Sequence, residues 1–265
     1  MNFADLGLSE KTIKAINEAG IKAPTTVQAD VIPSVLEGKD VFTIAPAGCG
    51  KTCSYVFPLI EIISQNKAKN ILIITANSKQ SVGVSDRFAV FNKYHEVNET
   101  TLTENGSDVP SEANVIIASP DLLLDLLKED ENSLANVDIL VVDDINLIKK
   151  LHQLKNLEKI LEVLPADKQN IVFTNRRSRE TQDILDKILK TPAEIKVNKD
   201  KEAEAVNSDS VLPEVKKEKK SAPQEKIADE LSYDVEAVSL MKKYHTFGRK
   251  TPEYMLINAK LADDE

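Results

Sequence analysis

At 265 residues with 42% apolar content, the chain is long enough for one large domain with its own core, or one domain and an appendage. A net charge of −9 and a sequence pI near 5.1 exclude a global attraction to phosphate backbones, so an RNA partner would have to be met by a local basic patch. No apolar run approaches the roughly 20 residues of a membrane span, and Met1 to Lys11 lack the basic start and apolar core of a secretory signal, so the cytoplasm is the expected compartment.

Five β-rich apolar runs follow one another along the chain: Val41–Ala45, Ile71–Thr75, Val115–Ala118, Ile139–Val142 and Ile171–Thr174. They are continuous rather than alternating, the pattern of parallel strands covered on both faces. Between and after them, Asp121–Lys128, Leu147–Leu164 and Arg179–Lys190 have helical periodicity. In the last, Ile184, Leu185, Ile188 and Leu189 share a face, and Ser178 stands where a capping residue belongs. Strands alternating with helices predict an α/β fold, a doubly wound and mostly parallel sheet.

The rhythm stops near Val197. Residues 198–225 hold no aromatic and many Lys, Glu, Asp, Ser and Pro, and such a segment cannot bury enough surface to offset its ordering entropy. It reads as a linker between a domain at 1–197 and a tail at 226–265. In the tail, Ile227, Leu231, Val235, Val238 and Met241 are spaced as one amphipathic helix. The two cysteines, Cys49 and Cys53, are too few for a disulfide framework. Their spacing on a helix admits a strained bridge, but they read as small packing residues.

The segment Ala45-Pro46-Ala47-Gly48-Cys49-Gly50-Lys51-Thr52 follows the first strand and opens a helix, the context that separates a P-loop from a chance glycine turn. Gly48 and Gly50 let the backbone curl, so that the N–H groups of Ala47, Gly48, Cys49 and Gly50 would point at phosphate oxygens near a helix N-terminus. Lys51 would reach the β- and γ-phosphates, and the Thr52 hydroxyl would ligate Mg2+. The first glycine of the general pattern is Ala45 here. A P-loop also needs a carboxylate at the end of a neighbouring strand, and Asp143 and Asp144 follow Ile139–Val142. Asp143 would serve the metal through water, and Asp144 would orient an attacking water. The plainer alternative for both is a solvated strand end. The expected cofactors are ATP or ADP with Mg2+.

With those residues in hand, the chain from Phe3 to about Val197 resembles the first RecA-like domain of DEAD-box RNA helicases. Phe3 precedes Gly20 by seventeen positions, and Gly20-Ile-Lys-Ala-Pro24-Thr25-Thr-Val-Gln28 looks like the family's adenine-reading segment with its isolated upstream aromatic. The resemblance implies that Gln28 grips the adenine edge through both amide atoms; taken alone it is also an ordinary helix-surface amide. Elsewhere the family pattern is altered. The Asp-Glu-Ala-Asp box is Asp143-Asp144-Ile145-Asn146, the Ser-Ala-Thr segment is Thr174-Asn175-Arg176, and Pro-Thr-Arg-Glu-Leu is Ala76-Asn77-Ser78-Lys79-Gln80. Thr-Pro-Gly-Arg is Ser119-Pro120-Asp121-Leu122, and of a double glycine between those last two segments only Gly106 remains. The adenine and phosphate elements keep the family pattern best, the RNA-backbone contacts of the family are the ones that lose Arg and Gly, and Asp121 places an acid where a phosphate would approach.

In the family a second RecA-like domain supplies arginines to the γ-phosphate. The 68 residues after Val197 are too few for it, so the expected behaviour is nucleotide binding with very slow hydrolysis and no autonomous helicase activity. The tail carries Lys242, Lys243, Tyr244, Phe247, Arg249 and Lys250 in one stretch without an acid. Cations that track phosphates beside aromatic faces that stack on bases suit single-stranded RNA. The alternative is that Tyr244 and Phe247 pack on protein while the lysines stay in water. The sequence therefore predicts a degenerate, helicase-like ATP- or ADP-binding protein that acts through an RNA, ribonucleoprotein or protein partner. The competing expectations are a weak, partner-stimulated ATPase and a scaffold with a relic P-loop.

Overall fold

Each aliphatic run becomes a strand whose successive side chains enter opposite cores. The computed structural model describes residues 1–103 and 113–197; Gly106, the linker at 198–225 and the tail with Lys242, Lys243, Tyr244, Phe247, Arg249 and Lys250 lie outside them. The strands are β1 (Val41–Ile44), β2 (Ile71–Ile74), β3 (Glu99–Thr101), β4 (Val115–Ala118), β5 (Ile139–Val142), β6 (Gln169–Thr174) and β7 (Ala193–Lys196). They form one sheet in the order β3-β4-β2-β5-β6-β1-β7, with every described pair parallel.

Ile71, Ile73, Ile139, Val141, Ile171 and Phe173 face one core, with the 3-10 turn Phe3–Leu6 and helices α1 (Glu10–Glu18), α2 (Thr26–Leu36), α3 (Lys51–Ser64) and α4 (Ser78–Phe91). Leu72, Ile74, Leu140, Val142 and Val172 face the other, covered by α5 (Pro120–Glu129), α6 (Ile145–Lys150), α7 (Leu154–Val163) and α8 (Arg179–Ile188). The chain runs outward from β1 to β3 under α3 and α4, then returns to β7 under the second set. Two buried faces require strands apolar at every position, and this is why the runs are unbroken. Among the described residues no helix is long and apolar enough to cross a membrane.

Three features depart from the sequence reading. The edge strands β3 (Glu-Thr-Thr) and β7 (Ala-Glu-Ile-Lys) have no apolar run, and their pairing is fixed by the open edge beside them: β7 aligns Ile195 with Thr43 of β1. The segment Leu147–Leu164 is two helices, because His152 takes a left-handed φ of 60° and ends the first. Its apolar stripe continues through the break, so periodicity alone cannot reveal it. Ser178 does occupy the N-cap position of α8, but its hydroxyl makes no cap bond and instead accepts a hydrogen bond from Lys149 Nζ at 3.2 Å.

Candidate nucleotide site

Parallel pairing brings the carboxyl ends of the strands into line, with Ile44 beside Thr174 and Lys196, and Ile74 beside Val142. The segments singled out above therefore meet along one edge of the sheet, where open α/β folds bind ligands. The carboxylate strand is not the immediate neighbour of the P-loop strand, as the sequence reading had it: β6 lies between β1 and β5. The site is thus wider than two adjacent strands and includes the Thr174–Arg176 turn.

The P-loop leaves β1 through Ala45, whose N–H still bonds Thr174 O at 3.0 Å, and enters α3 at Lys51. Gly48 and Gly50 both have φ of 87°, a conformation that costs glycine nothing and other residues a good deal. At Gly50 the close approach is as demanding as the dihedral: a Cβ would lie 2.6 Å from Gln28 Nε2 and 3.1 Å from Thr25 Oγ1. Ala47 and Gly48 are exposed, whereas Cys49 is buried with its thiol toward Pro46 O at 3.0 Å. Lys51 Nζ donates to Ala45 O at 3.0 Å and Pro46 O at 2.7 Å, so the ammonium is held over the loop it follows. A phosphate there would compete with two neutral carbonyls, and charge-assisted bonds are the stronger.

The Gly20–Gln28 segment is built onto this loop. Thr25 caps α2 in a reciprocal box, its Oγ1 near Gln28 N and its N–H bonded to Gln28 Oε1 at 3.0 Å. The same two side chains reach the P-loop: Thr25 Oγ1 donates to Cys49 O at 2.9 Å and Gln28 Nε2 to Gly50 O at 3.4 Å. Gln28 is therefore neither an idle surface amide nor a wholly uncommitted one; it is 4% exposed and both amide ends are engaged, each with half its capacity left. Phe3 is not presented as a stacking surface. It is 4% exposed and packs edge-on against Phe57 with ring centroids 5.8 Å apart, because an aromatic beside the apolar α3 gains more by burial.

Asp143 ends β5 at 8% exposure and accepts a hydrogen bond from the Tyr55 hydroxyl at 3.1 Å. Burial raises its pKa from 3.8 to about 6, against the Tyr55 hydrogen bond and the Lys51 charge. Burial, and then the Asp143 charge, push the Tyr55 phenol well above its usual range, so it remains a donor. Tyr55 is not singled out by the sequence reading; the available signal is a hydroxylated aromatic one turn beyond Lys51 in the same helix. The Thr52 side chain also reaches this phenol, so the expected Mg2+ hydroxyl and the expected Mg2+ carboxylate both contact one buried Tyr. Among the described residues no three His, Cys, Asp or Glu side chains cluster as a metal site. One hydroxyl and one carboxylate nevertheless fit Mg2+, which takes one or two carboxylates and completes its shell with water and substrate phosphates.

Asp144 takes a left-handed φ of 61° and caps α6, its Oδ1 accepting from Leu147 N at 3.2 Å. The next polar residue, Asn146, points back toward the sheet. Its Nδ2 donates to Thr174 Oγ1 at 2.7 Å, Asn175 Oδ1 at 3.1 Å and Arg176 O at 2.6 Å. All three partners accept at that contact and share the two amide hydrogens, which a carboxylate could not supply. Asp144 and Asn146 line a cleft of about 730 Å3 with Pro46, Ala47, Leu147, Lys149, Lys150, Asn175 and Arg176. Neither cysteine forms a disulfide, and burial pushes the Cys53 thiol up to about 11, which keeps it protonated and inert.

A family model described as DEAD/DEAH box helicase matches residues 25–184. The chain is 30% identical over 203 residues to the DEAD-box ATP-dependent RNA helicase RhpA of Helicobacter pylori, covering 74% of this chain and 41% of that protein. It is 28% identical to the ATP-dependent RNA helicase DeaD of Escherichia coli, covering 74% of this chain and 32% of that one. The chain thus spans less than half the length of these curated relatives. Among solved structures, a DEAD box protein from the hyperthermophile Methanococcus jannaschii superimposes with a TM-score of 0.70 at 26% identity, over 75% of this chain and 56% of that one.

Proposed function

The chain belongs to the DEAD/DEAH box helicase family, and from that premise we propose that it binds ATP or ADP together with Mg2+ and acts through an RNA or ribonucleoprotein partner. One observation carries the nucleotide reading: Thr25 and Gln28 are bonded directly to the P-loop carbonyls of Cys49 and Gly50. A base-reading segment fastened to a phosphate loop places purine and phosphate at a fixed separation. Gln28 has one amide hydrogen and one lone pair still to give, the complement of an adenine edge. Lys51 serves the β- and γ-phosphates, the backbone of Ala47 to Gly50 cradles them, and Thr52 with Asp143 serves Mg2+. Titration with fluorescent ADP tests this. Saturable binding is expected, with a loss in Lys51→Ala; no binding, or no loss, removes the reading.

The match covers only 41% and 32% of the relatives named as RNA helicases, so unwinding is not assigned to this chain. RNA or a ribonucleoprotein is proposed to meet the basic-aromatic stretch at 242–250, the cytoplasm being the place of action. Asp144 on the cleft wall favours a second reading, a weak ATPase stimulated by a partner. Phosphate release measured with RNA and cell extract, in wild type and Asp143→Asn, decides it; a flat result in both ends it.

A further inference from the structure

The carboxyl edge of the sheet carries more cations than the nucleotide reading uses. Several of these are neutralised by neighbours. Lys149 pairs with Glu180 and reaches Ser178, while Arg177 pairs with Glu194 at 2.6 Å and lies over the Phe42 ring. Lys196 pairs with the same Glu194 at 2.8 Å. Arg176 and Lys150 differ. Both are exposed, both line the cleft that Pro46 and Ala47 of the P-loop also line, and neither side chain has a hydrogen bond or ion pair among the described residues.

The backbone of Arg176 is nevertheless fixed. Its carbonyl accepts from Asn146 Nδ2 at 2.6 Å and from Thr174 Oγ1 at 2.8 Å, and its N–H reaches Thr174 Oγ1 at 3.4 Å. Asn146 is itself buried at 8% exposure, so the turn is anchored from below. A guanidinium without a partner retains its five donors, and its planar fork loses less order per hydrogen bond formed than an ammonium does. Asp144 is the one acid on the cleft wall, with one oxygen already committed to Leu147 N, whereas the wall also carries Lys149, Lys150 and Arg176.

We propose that Arg176, with Lys150, forms a seat within this chain for the terminal phosphate of a nucleoside triphosphate, so that the domain alone holds a triphosphate more tightly than a diphosphate. This rests on the nucleotide reading above and goes beyond it in assigning selectivity to the Thr174–Arg176 turn rather than to the P-loop. Pro46 and Ala47 of the P-loop line the same cleft as Lys150 and Arg176, so a phosphate chain leaving the loop through that cleft would meet both cations. One exposed charge-assisted bond gives about a tenfold preference.

The test uses the full chain with Mg2+, measuring the affinities of ADP and of a non-hydrolysable ATP analogue for wild type, Lys51→Ala, Arg176→Gln and the double variant Arg176→Gln/Lys150→Gln. The expected result is a roughly tenfold preference for the triphosphate in wild type. The preference should shrink in Arg176→Gln and vanish in the double variant while ADP affinity is unchanged. Equal wild-type affinities, or a preference that survives the double variant, overturn the proposal and leave nucleotide binding intact. Failure of wild type to bind either nucleotide overturns both, and loss of ADP affinity in Arg176→Gln overturns the assignment to the terminal phosphate.

Discussion

Asp143→Asn should make the nucleotide-free protein more stable at neutral pH. The wild-type carboxyl is buried at the end of β5, and burial raises its pKa from 3.8 to about 6. A carboxyl whose folded pKa is raised contributes stability below its unfolded value and loses it as pH climbs through the folded value. Keeping Asp143 charged therefore costs about 3 kcal/mol at pH 7 and about half of that at pH 5. An amide in the same place still accepts the Tyr55 hydroxyl hydrogen through its oxygen, but its own burial takes back about 1–2 kcal/mol. The net gain is about 1–2 kcal/mol, a rise in melting temperature of roughly 2–8 °C for a domain of this size. Thermal or urea denaturation of both proteins in EDTA without nucleotide, at pH 5 and pH 7, reads it directly. Equal stability at pH 7, or a difference that fails to shrink on acidification, refutes the argument that Asp143 is held charged at a cost. Such a cost is what a carboxylate kept for a cation would carry, since the site opposes its charge until a positive partner arrives.

Gly50→Ala places a methyl 2.6 Å from Gln28 Nε2 at a φ of 87°, and the variant should lose about 1–3 kcal/mol in urea denaturation along with its nucleotide affinity. Glu61 is 1% exposed and accepts from Ser9 N at 2.9 Å, Ser9 Oγ at 2.6 Å and the Thr12 hydroxyl, tying the start of α1 to α3; Glu61→Ala strands those donors and should cost about 2–4 kcal/mol by the same assay. Asn146→Asp removes the donor shared by Thr174, Asn175 and Arg176 and should cost about 2–4 kcal/mol, with faster amide hydrogen exchange at Arg176. Saturating Mg-ATP should raise the melting temperature of wild type and leave Lys51→Ala unmoved, because a ligand that binds the native state stabilises it.

Strands, helices and the phosphate loop were legible because each rests on a local rule. Ile71–Ile74 and Ile139–Val142 are apolar at every position, which states that both faces are covered, and Gly48-Cys49-Gly50-Lys51 after a strand states that the backbone must turn sharply into a helix. Local pattern could not place what depends on residues far apart in the chain. It did not reveal that β6 separates the two motif strands, that the stripe at Leu147–Leu164 is cut at His152, or that β7 forms only because β1 offers it an edge. Phe3 reads as the upstream aromatic of the adenine-reading segment, yet burial beside Phe57 is available to it once α3 is in place. The Gln28 amide, the Tyr55–Asp143 bond and the Asn146 anchor each join residues more than twenty positions apart. Composition and periodicity report which face of an element is apolar, whereas partner, distance and exposure are set only when the sheet closes.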